Sequence, residues 1–221
     1  MKAAGRQILN RFNYGFLLSG LWPQILVCGL VVLLFSCTPS RQYLIRQQKK
    51  YDIEKSEIKV LLFNTDKHVE FTSESVIRIE DKNLNRIVSI QGNKKVIINP
   101  HRVQNDLLLE AANNRLSVNG KYYRGKILIK KSLNGILIIN KLSINEYLYS
   151  VVPSEMPASW PFEALKAQAV AARTYAYHHL LKKQSTIFDL DSTTKFQVYS
   201  GLSTEQETTS RAVDLTTGKI C

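Results

Sequence analysis

Cysteine is scarce in this chain, with three in 221 residues, at positions 28, 37 and 221. Cys28 falls inside a leader-like segment and Cys37 at its end, so a body starting there has only Cys221 left to pair. That excludes a framework of internal disulfides. Histidine is sparse too: of four, His68 and His101 stand near turns or strand ends without a second ligand at metal-binding spacing, and both read as surface histidines. Acids are outnumbered 18 to 30 by Lys and Arg, for a formal net charge of +12. Three of the positive charges belong to the leader, which leaves +9 after Cys37. A body this basic calls for an anionic partner. No helix-turn-helix, zinc-finger or RNA-binding signature is present, so that partner is not expected to be nucleic acid. No internal repeat is visible.

What is present begins with export. Lys2, Arg6 and Arg11 form a positive segment free of acids, and residues 25–35 form an apolar run, the pattern of a secretory signal. Extended back to Phe16 the run reaches membrane-spanning length, but Pro23 and Gln24 interrupt it, and an uncleaved anchor is the alternative. Leu34-Phe35-Ser36-Cys37 resembles a bacterial lipobox, with Leu three before the cysteine and a small residue just before it. Cys37 would then be the lipidated N-terminus; a plain cleaved signal peptide stays open beside it. Each reading exports the rest, as a membrane-anchored lipoprotein facing the periplasm or cell wall in the lipidated case. Residues 37–55 follow as a basic linker beside anionic lipid. For an exported basic body, an anionic cell-wall polymer fits both compartment and charge.

From residue 56 to 140, short apolar or alternating runs are separated by turn residues. Strands are expected at 58–63, 75–80, 86–90, 95–98, 115–118, 121–130 and 135–140, and Asn119-Gly120 is the strongest hairpin signal. At Ser143 the period changes. Ser143-Ile144-Asn145-Glu146 has the spacing of a capping box and predicts a short helix from Ile144 to about Val151, with Glu146 as a capping residue. Pro161 opens a second helix, from Phe162 to about Leu181, alanine-rich and free of Gly and Pro. Glu163 lies in its first turn, where a negative charge suits the helix dipole. Between the two helices, Pro153 and Pro157 bracket Glu155 in a restricted loop. Glu155 is thus an acid without a structural duty. Met156, Pro157 and Trp160 give it an apolar setting expected to raise its pKa toward acid–base use. The fold class expected is α+β, a β-rich body followed by a helical catalytic segment.

Four stretches carry a resemblance: Y-R-G-K-I-L-I from Tyr123, I-I-N-K-L-S-I-N-E-Y-L from Ile138, V-V-P-S-E-M-P-A-S-W-P-F-E-A-L-K-A-Q-A-V-A-A-R-T-Y-A from Val151, and F-D-L-D-S-T-T-K-F-Q-V-Y-S-G from Phe188. In this order, over roughly residues 119–218, they resemble the SpoIID/LytB family. The resemblance implies work on peptidoglycan. Members of the family include a sporulation protein that is a lytic transglycosylase of peptide-free glycan strands, and an enhancer of a cell-wall amidase. The family's catalytic acid is the glutamate of E-M-P, which falls on Glu155. Lys166, Gln168 and Arg173 match the motif of the long helix, and with Tyr175, Gln197 and Tyr199 they are the candidates to bind sugar hydroxyls, amides or the lactyl carboxylate. Trp160 is a candidate to stack on a sugar ring. Helical spacing sets Lys166, Val170, Arg173 and Tyr177 near one face and Gln168, Ala172, Tyr175 and His179 on another. A buried polar strut is the competing role for Arg173 and Tyr175.

One carboxyl group suffices for a lytic transglycosylase. Protonated Glu155 would give its proton to the oxygen between N-acetylmuramic acid and N-acetylglucosamine, and its carboxylate would take the proton of the muramic acid 6-hydroxyl as that oxygen attacks C1, leaving 1,6-anhydro-muramic acid. The sugar supplies its own nucleophile, so the second carboxylate of ordinary glycosidases is unnecessary. Asp189 and Asp191 read as turn formers, or as partners if the reaction is hydrolytic. Some relatives carry metal-binding cysteines in D-L-C-D-T-x-x-C-Q; Asp191 and Phe196 stand at those positions here. Phenylalanine cannot ligate, so no zinc and no other cofactor is expected. The family pattern also continues past T-T-G-K-I, which makes residues 119–221 an incomplete copy, after a β-rich portion at 56–118. Two rival readings follow. One is a non-enzymatic enhancer that binds glycan or a cell-wall amidase, and the other an inactive structural envelope lipoprotein.

Overall fold

Strands whose side chains alternate between apolar and polar must each bury one face, and the described residues do so in two sheets. The computed structural model describes residue 53, residues 55–182 and residues 187–221. The leader 1–36, Cys37 and nearly all of the linker 37–55 lie outside the described residues. The strands are β1 (Glu57–Thr65), β2 (Val69–Thr72), β3 (Ile77–Asp81), β4 (Arg86–Ile90), β5 (Val96–Ile98), β6 (Leu107–Ala111), β7 (Leu116–Val118), β8 (Lys121–Tyr123), β9 (Lys126–Ser132), β10 (Gly135–Ser143) and β11 (Leu190–Asp191). The helices are α1 (Ile144–Glu155), α2 (Phe162–Lys182) and α3 (Glu207–Leu215). The architecture is α+β with a sheet-rich body.

The larger sheet has the order β11-β1-β10-β9-β6-β3-β4 and the smaller β5-β2-β7-β8. Ile58 and Val60 of β1, Ile127 and Ile129 of β9, and Ile136 and Ile138 of β10 are wholly excluded from solvent. Onto this core α1 lays a buried stripe of Tyr147, Leu148, Val151 and Val152, and α2 and α3 pack against α1 in turn. The alanines of α2 permit the close approach: Ala169, Ala172 and Ala176 are all buried.

Asn119 (φ 49°) and Gly120 (φ 85°) both take left-handed backbone in the two-residue turn between β7 and β8, where Val118 pairs with Lys121, as the hairpin signal requires. The single strand expected at 121–130 is instead two. Gly125 breaks it at φ 74°, so close to β10 that a Cβ would lie 2.4 Å from the Lys141 carbonyl oxygen. Gly125→Ala should therefore destabilise the fold by about 1–3 kcal/mol through backbone strain alone, read as a lower midpoint in urea unfolding. Strands β2 and β6 were not expected. Leu107-Leu108-Leu109-Glu110-Ala111 is made of helix-favouring residues, and it is pairing with β3 and β9 that makes it a strand.

The first helix departs from expectation in a way that matters for the site. It does not stop near Val151 but runs through Pro153 to Glu155. Proline removes one backbone donor from the helix, the one that would bond the Tyr149 carbonyl, yet the helix continues, with Ser154 Oγ donating to the Ser150 carbonyl at 2.8 Å. The Met156 N–H then closes the helix on the Val152 carbonyl at 3.0 Å. Glu155 is accordingly a helix-terminal residue, not a loop residue between two prolines.

Candidate active site

The site is built outward from the cap of α1. Ser143 Oγ accepts from the Glu146 N–H and the Glu146 carboxylate accepts from the Ser143 N–H at 3.0 Å. This is the capping box expected of the sequence. Glu146 Oε1 also accepts from Asn114 Nδ2 at 2.6 Å, so its carboxylate is fully engaged in structure. From this anchored start the helix carries Tyr147, Ser150 and Glu155 along successive turns.

A returning loop, residues 192–200, is stitched to each of these three. The buried Tyr147 hydroxyl donates to Gln197 Oε1 at 3.2 Å, the Val198 N–H donates to Glu155 Oε1 at 3.2 Å, and the Ser200 N–H donates to Ser150 Oγ at 3.1 Å. Burial pushes the Tyr147 phenol well above its usual range, and the negative charge of Tyr175, Glu155 and Asp191 adds to the shift. The Glu155 side chain is exposed. Pro157 and Trp160 are exposed beside it, so the apolar enclosure expected around this carboxylate does not form. Its geometry is that of a solvent-facing carboxylate with one oxygen fixed by a backbone donor.

The remaining candidates separate into two groups. Gln168, Tyr175 and His179 lie along one stripe of α2. Tyr175 is 36% exposed, and its ring meets that of His179 at 4.5 Å, which in turn meets Phe196 edge-on at 5.3 Å. Trp160 is 52% exposed in the turn between the two helices, where the Trp160 N–H reaches the Pro157 carbonyl at 3.0 Å. Through Phe196 the α2 stripe meets the loop 192–200, whose Val198 N–H bonds Glu155. Lys166, by contrast, is held by Glu163 at 2.9 Å one turn away.

Three candidates are corrected by burial. Arg173 has no solvent exposure; its guanidinium donates to the carbonyls of Thr216 (2.9 Å), Val213 (3.0 Å) and Lys219 (3.3 Å) and to Asn145 Oδ1 (3.3 Å). Burial lowers its pKa to about 10, so it is still a cation at neutral pH. It is the polar strut of the two roles set against each other above, tying α2 to the chain end, and it touches no open surface. Tyr199 is buried with its hydroxyl donating to Asn140 Oδ1 at 2.6 Å. Asn140 itself donates to the Arg124 and Lys126 carbonyls on either side of Gly125, so Tyr199 braces the strand break. Gln197 is also buried, with Oε1 taken by Tyr147.

Asp191 is the turn former expected, its Oδ1 accepting from the Thr193 N–H at 2.9 Å; Asp189 instead ties its loop to β1, its Oδ2 accepting from the Lys59 N–H at 2.8 Å. The metal position known from some relatives does not fit these residues, because Phe196 packs its ring on His179 and Asp191 caps its own turn. Among the described residues, no group of three His, Cys, Asp or Glu side chains is placed to hold a metal ion. Two residues at the site had no role in the sequence reading. Tyr147 gave no signal, since a tyrosine on an amphipathic helix reads as core. His179 shares the stripe of Tyr175 at i+4 spacing. Its Nδ1 is buried without a partner, and burial, with His178 and Lys182 nearby, lowers its pKa.

Comparison with known proteins decides the relationship. Residues 132–221 match the family model described as SpoIID, stage II sporulation protein. Over that span the chain is similar to the SpoIID family. An uncharacterised protein of Brachyspira hyodysenteriae is 44% identical over 105 residues, 47% of this chain and 28% of the relative. The amidase enhancer of Bacillus subtilis is 40% identical over 112 residues, 50% of this chain and 15% of the relative. Stage II sporulation protein D of the same organism is 40% identical over 65 residues, 28% of this chain and 19% of the relative. The chain thus spans under a third of the length of each of these curated relatives. No solved structure matches it significantly. The SpoIID match contains all of α1, α2 and the stitched loop, with Glu155 in it.

Proposed function

We propose that this protein acts on the bacterial cell wall as a lytic transglycosylase of peptide-free glycan strands, with Glu155 as its acid–base. The observation that carries the reading is the Glu155 carboxylate, exposed at the end of α1 with one oxygen fixed by the Val198 N–H and the other open to a substrate. Proton transfer in both directions at one oxygen is what cleavage with 1,6-anhydro-muramic acid formation asks of the protein. A retaining or inverting hydrolase needs two carboxylates facing the bond, and Asp191, the acid considered for that part, spends an oxygen on its own turn. Tyr175, Gln168 and Trp160 are the side chains proposed to meet sugar. Export, with Cys37 as a lipidated anchor, belongs to the same proposal and brings the basic body to its anionic polymer.

A second reading is favoured by one finding, the similarity to an amidase enhancer over half of the chain. In that case the same surface binds glycan or a cell-wall amidase without cleaving. Incubating the protein with peptide-free glycan strands and weighing the products separates the two. Fragments ending in 1,6-anhydro-muramic acid support the transglycosylase. Strands recovered intact from a folded protein leave the enhancer reading.

A further inference from the structure

The 3-10 turn Gly201–Thr204 has two neighbours. Toward α1, Thr204 Oγ1 and Ser150 Oγ share a hydrogen bond at 2.9 Å. Toward β8, Gly201 comes so close that a Cβ would lie 2.4 Å from the Tyr122 carbonyl oxygen. Outside this second contact an open groove runs between the turn, the β7–β8 hairpin and the β2–β3 connection, lined by Glu74, Arg115, Lys121, Tyr122, Leu202 and Ser203 among others.

Its side chains are presented and largely unspent. Tyr123 is buried, so its neighbour Tyr122 points the other way, 44% exposed. Arg115 and Lys121 are exposed, and among the described residues neither charged group has a hydrogen-bond or ion-pair partner. The wall is rigid: Asn113 Oδ1 accepts from Ser75 Oγ at 2.8 Å and from the Arg115 N–H at 3.1 Å. An exposed aromatic ring accepts the apolar face of a sugar, and two unpaired cations accept a carboxylate. Glu74 suits sugar hydroxyls and amide N–H groups, Ser203 Oγ, which donates to the Ser200 carbonyl at 3.1 Å, can still accept from them, and the acid opposes a densely charged polyanion. The groove is also within reach of the cleavage site. Val198, bonded to Glu155, and Ser203 are five residues apart, at most about 17 Å along an extended chain.

We infer that this groove is a second subsite for the glycan strand, taking a carboxylate-bearing sugar a short distance along the polymer from the bond held at Glu155. The inference rests on the glycan reading above but not on cleavage. Its test uses the full chain carrying Glu155→Gln, so that nothing is consumed, with binding measured for long peptide-free glycan strands, for a single disaccharide, and for chitin oligosaccharides, which lack the lactyl carboxylate. Arg115→Ser with Lys121→Ser should weaken long-strand binding about ten-fold, the loss expected for one charge-assisted contact, and leave the disaccharide and chitin unchanged. Tyr122→Ala should weaken long strands and chitin alike. Full affinity for long strands in both variants overturns the subsite, as does an equal loss for the disaccharide. If the protein with Glu155 intact never cleaves, yet these variants weaken strand binding as stated, the transglycosylase reading falls and the groove stands. Cleavage combined with binding that neither variant alters removes the groove alone.

Discussion

Replacing Glu155 by glutamine is expected to lower the rate of glycan cleavage by about 10²–10⁴-fold, the usual worth of a positioned acid–base group, while strands still bind. The amide keeps the size of the carboxylate, and its oxygen can still accept from the Val198 N–H, so α1 and the loop 192–200 remain stitched together. What is lost is the ability to give up a proton and take it back. Asp191→Asn is the informative companion. Its carboxylate serves its own turn, and a mechanism in which the sugar provides the nucleophile leaves the rate nearly unchanged by that substitution. A loss as large as that of Glu155→Gln would instead make Asp191 the second carboxylate of a hydrolase. Rates are followed by the appearance of new glycan ends.

Arg173→Met is expected to cost about 2–4 kcal/mol of stability, balancing the loss of the guanidinium's hydrogen bonds against the relief of removing a buried charge. The guanidinium spans two groups of oxygens, Thr216 and Lys219 through one nitrogen and Val213 and Asn145 through the other. Among the described residues no carboxylate lies within ion-pair distance of it, so backbone dipoles solvate the cation. Methionine fills similar space but takes the guanidinium donor from Asn145 Oδ1 and the Lys219 carbonyl, while the Val213 and Thr216 carbonyls keep the Thr216 and Lys219 N–H groups. Arg173→Lys should restore little, since one ammonium cannot bond both groups at once. Urea unfolding checks this: a midpoint equal to that of the parent protein would show that the strut contributes nothing.

Local chemistry was legible in the sequence and long-range placement was not. The capping box of Ser143 and Glu146, the Asn119-Gly120 turn and the alanine helix all depend on residues within a few positions of one another, and each forms where its pattern stands. Pro153 shows the limit of that logic. A proline read alone ends a helix, yet α1 continues because Val151 and Val152 beyond its middle are buried and the loop 192–200 binds its last turns. The stitching itself joins residues 43 to 50 positions apart, a distance over which no spacing rule operates. Arg173 was ambiguous for the same reason. Its helical face was clear, but its burial is decided by residues 213–219, which close over it from the chain end. Glu155 was found by elimination among the acids and by the E-M-P resemblance. Its exposure came only with the fold.

The central claim, that one carboxylate on α1 cleaves glycan by using the sugar's own hydroxyl, is tested most directly by running the reaction in water enriched in oxygen-18. Intramolecular attack consumes no water, so the expected products end in 1,6-anhydro-muramic acid without label, and Glu155→Gln abolishes them. New reducing ends, in excess of those on strands held in the same labelled water without the protein, would contradict the account, because they require water as the nucleophile and a second group to activate it.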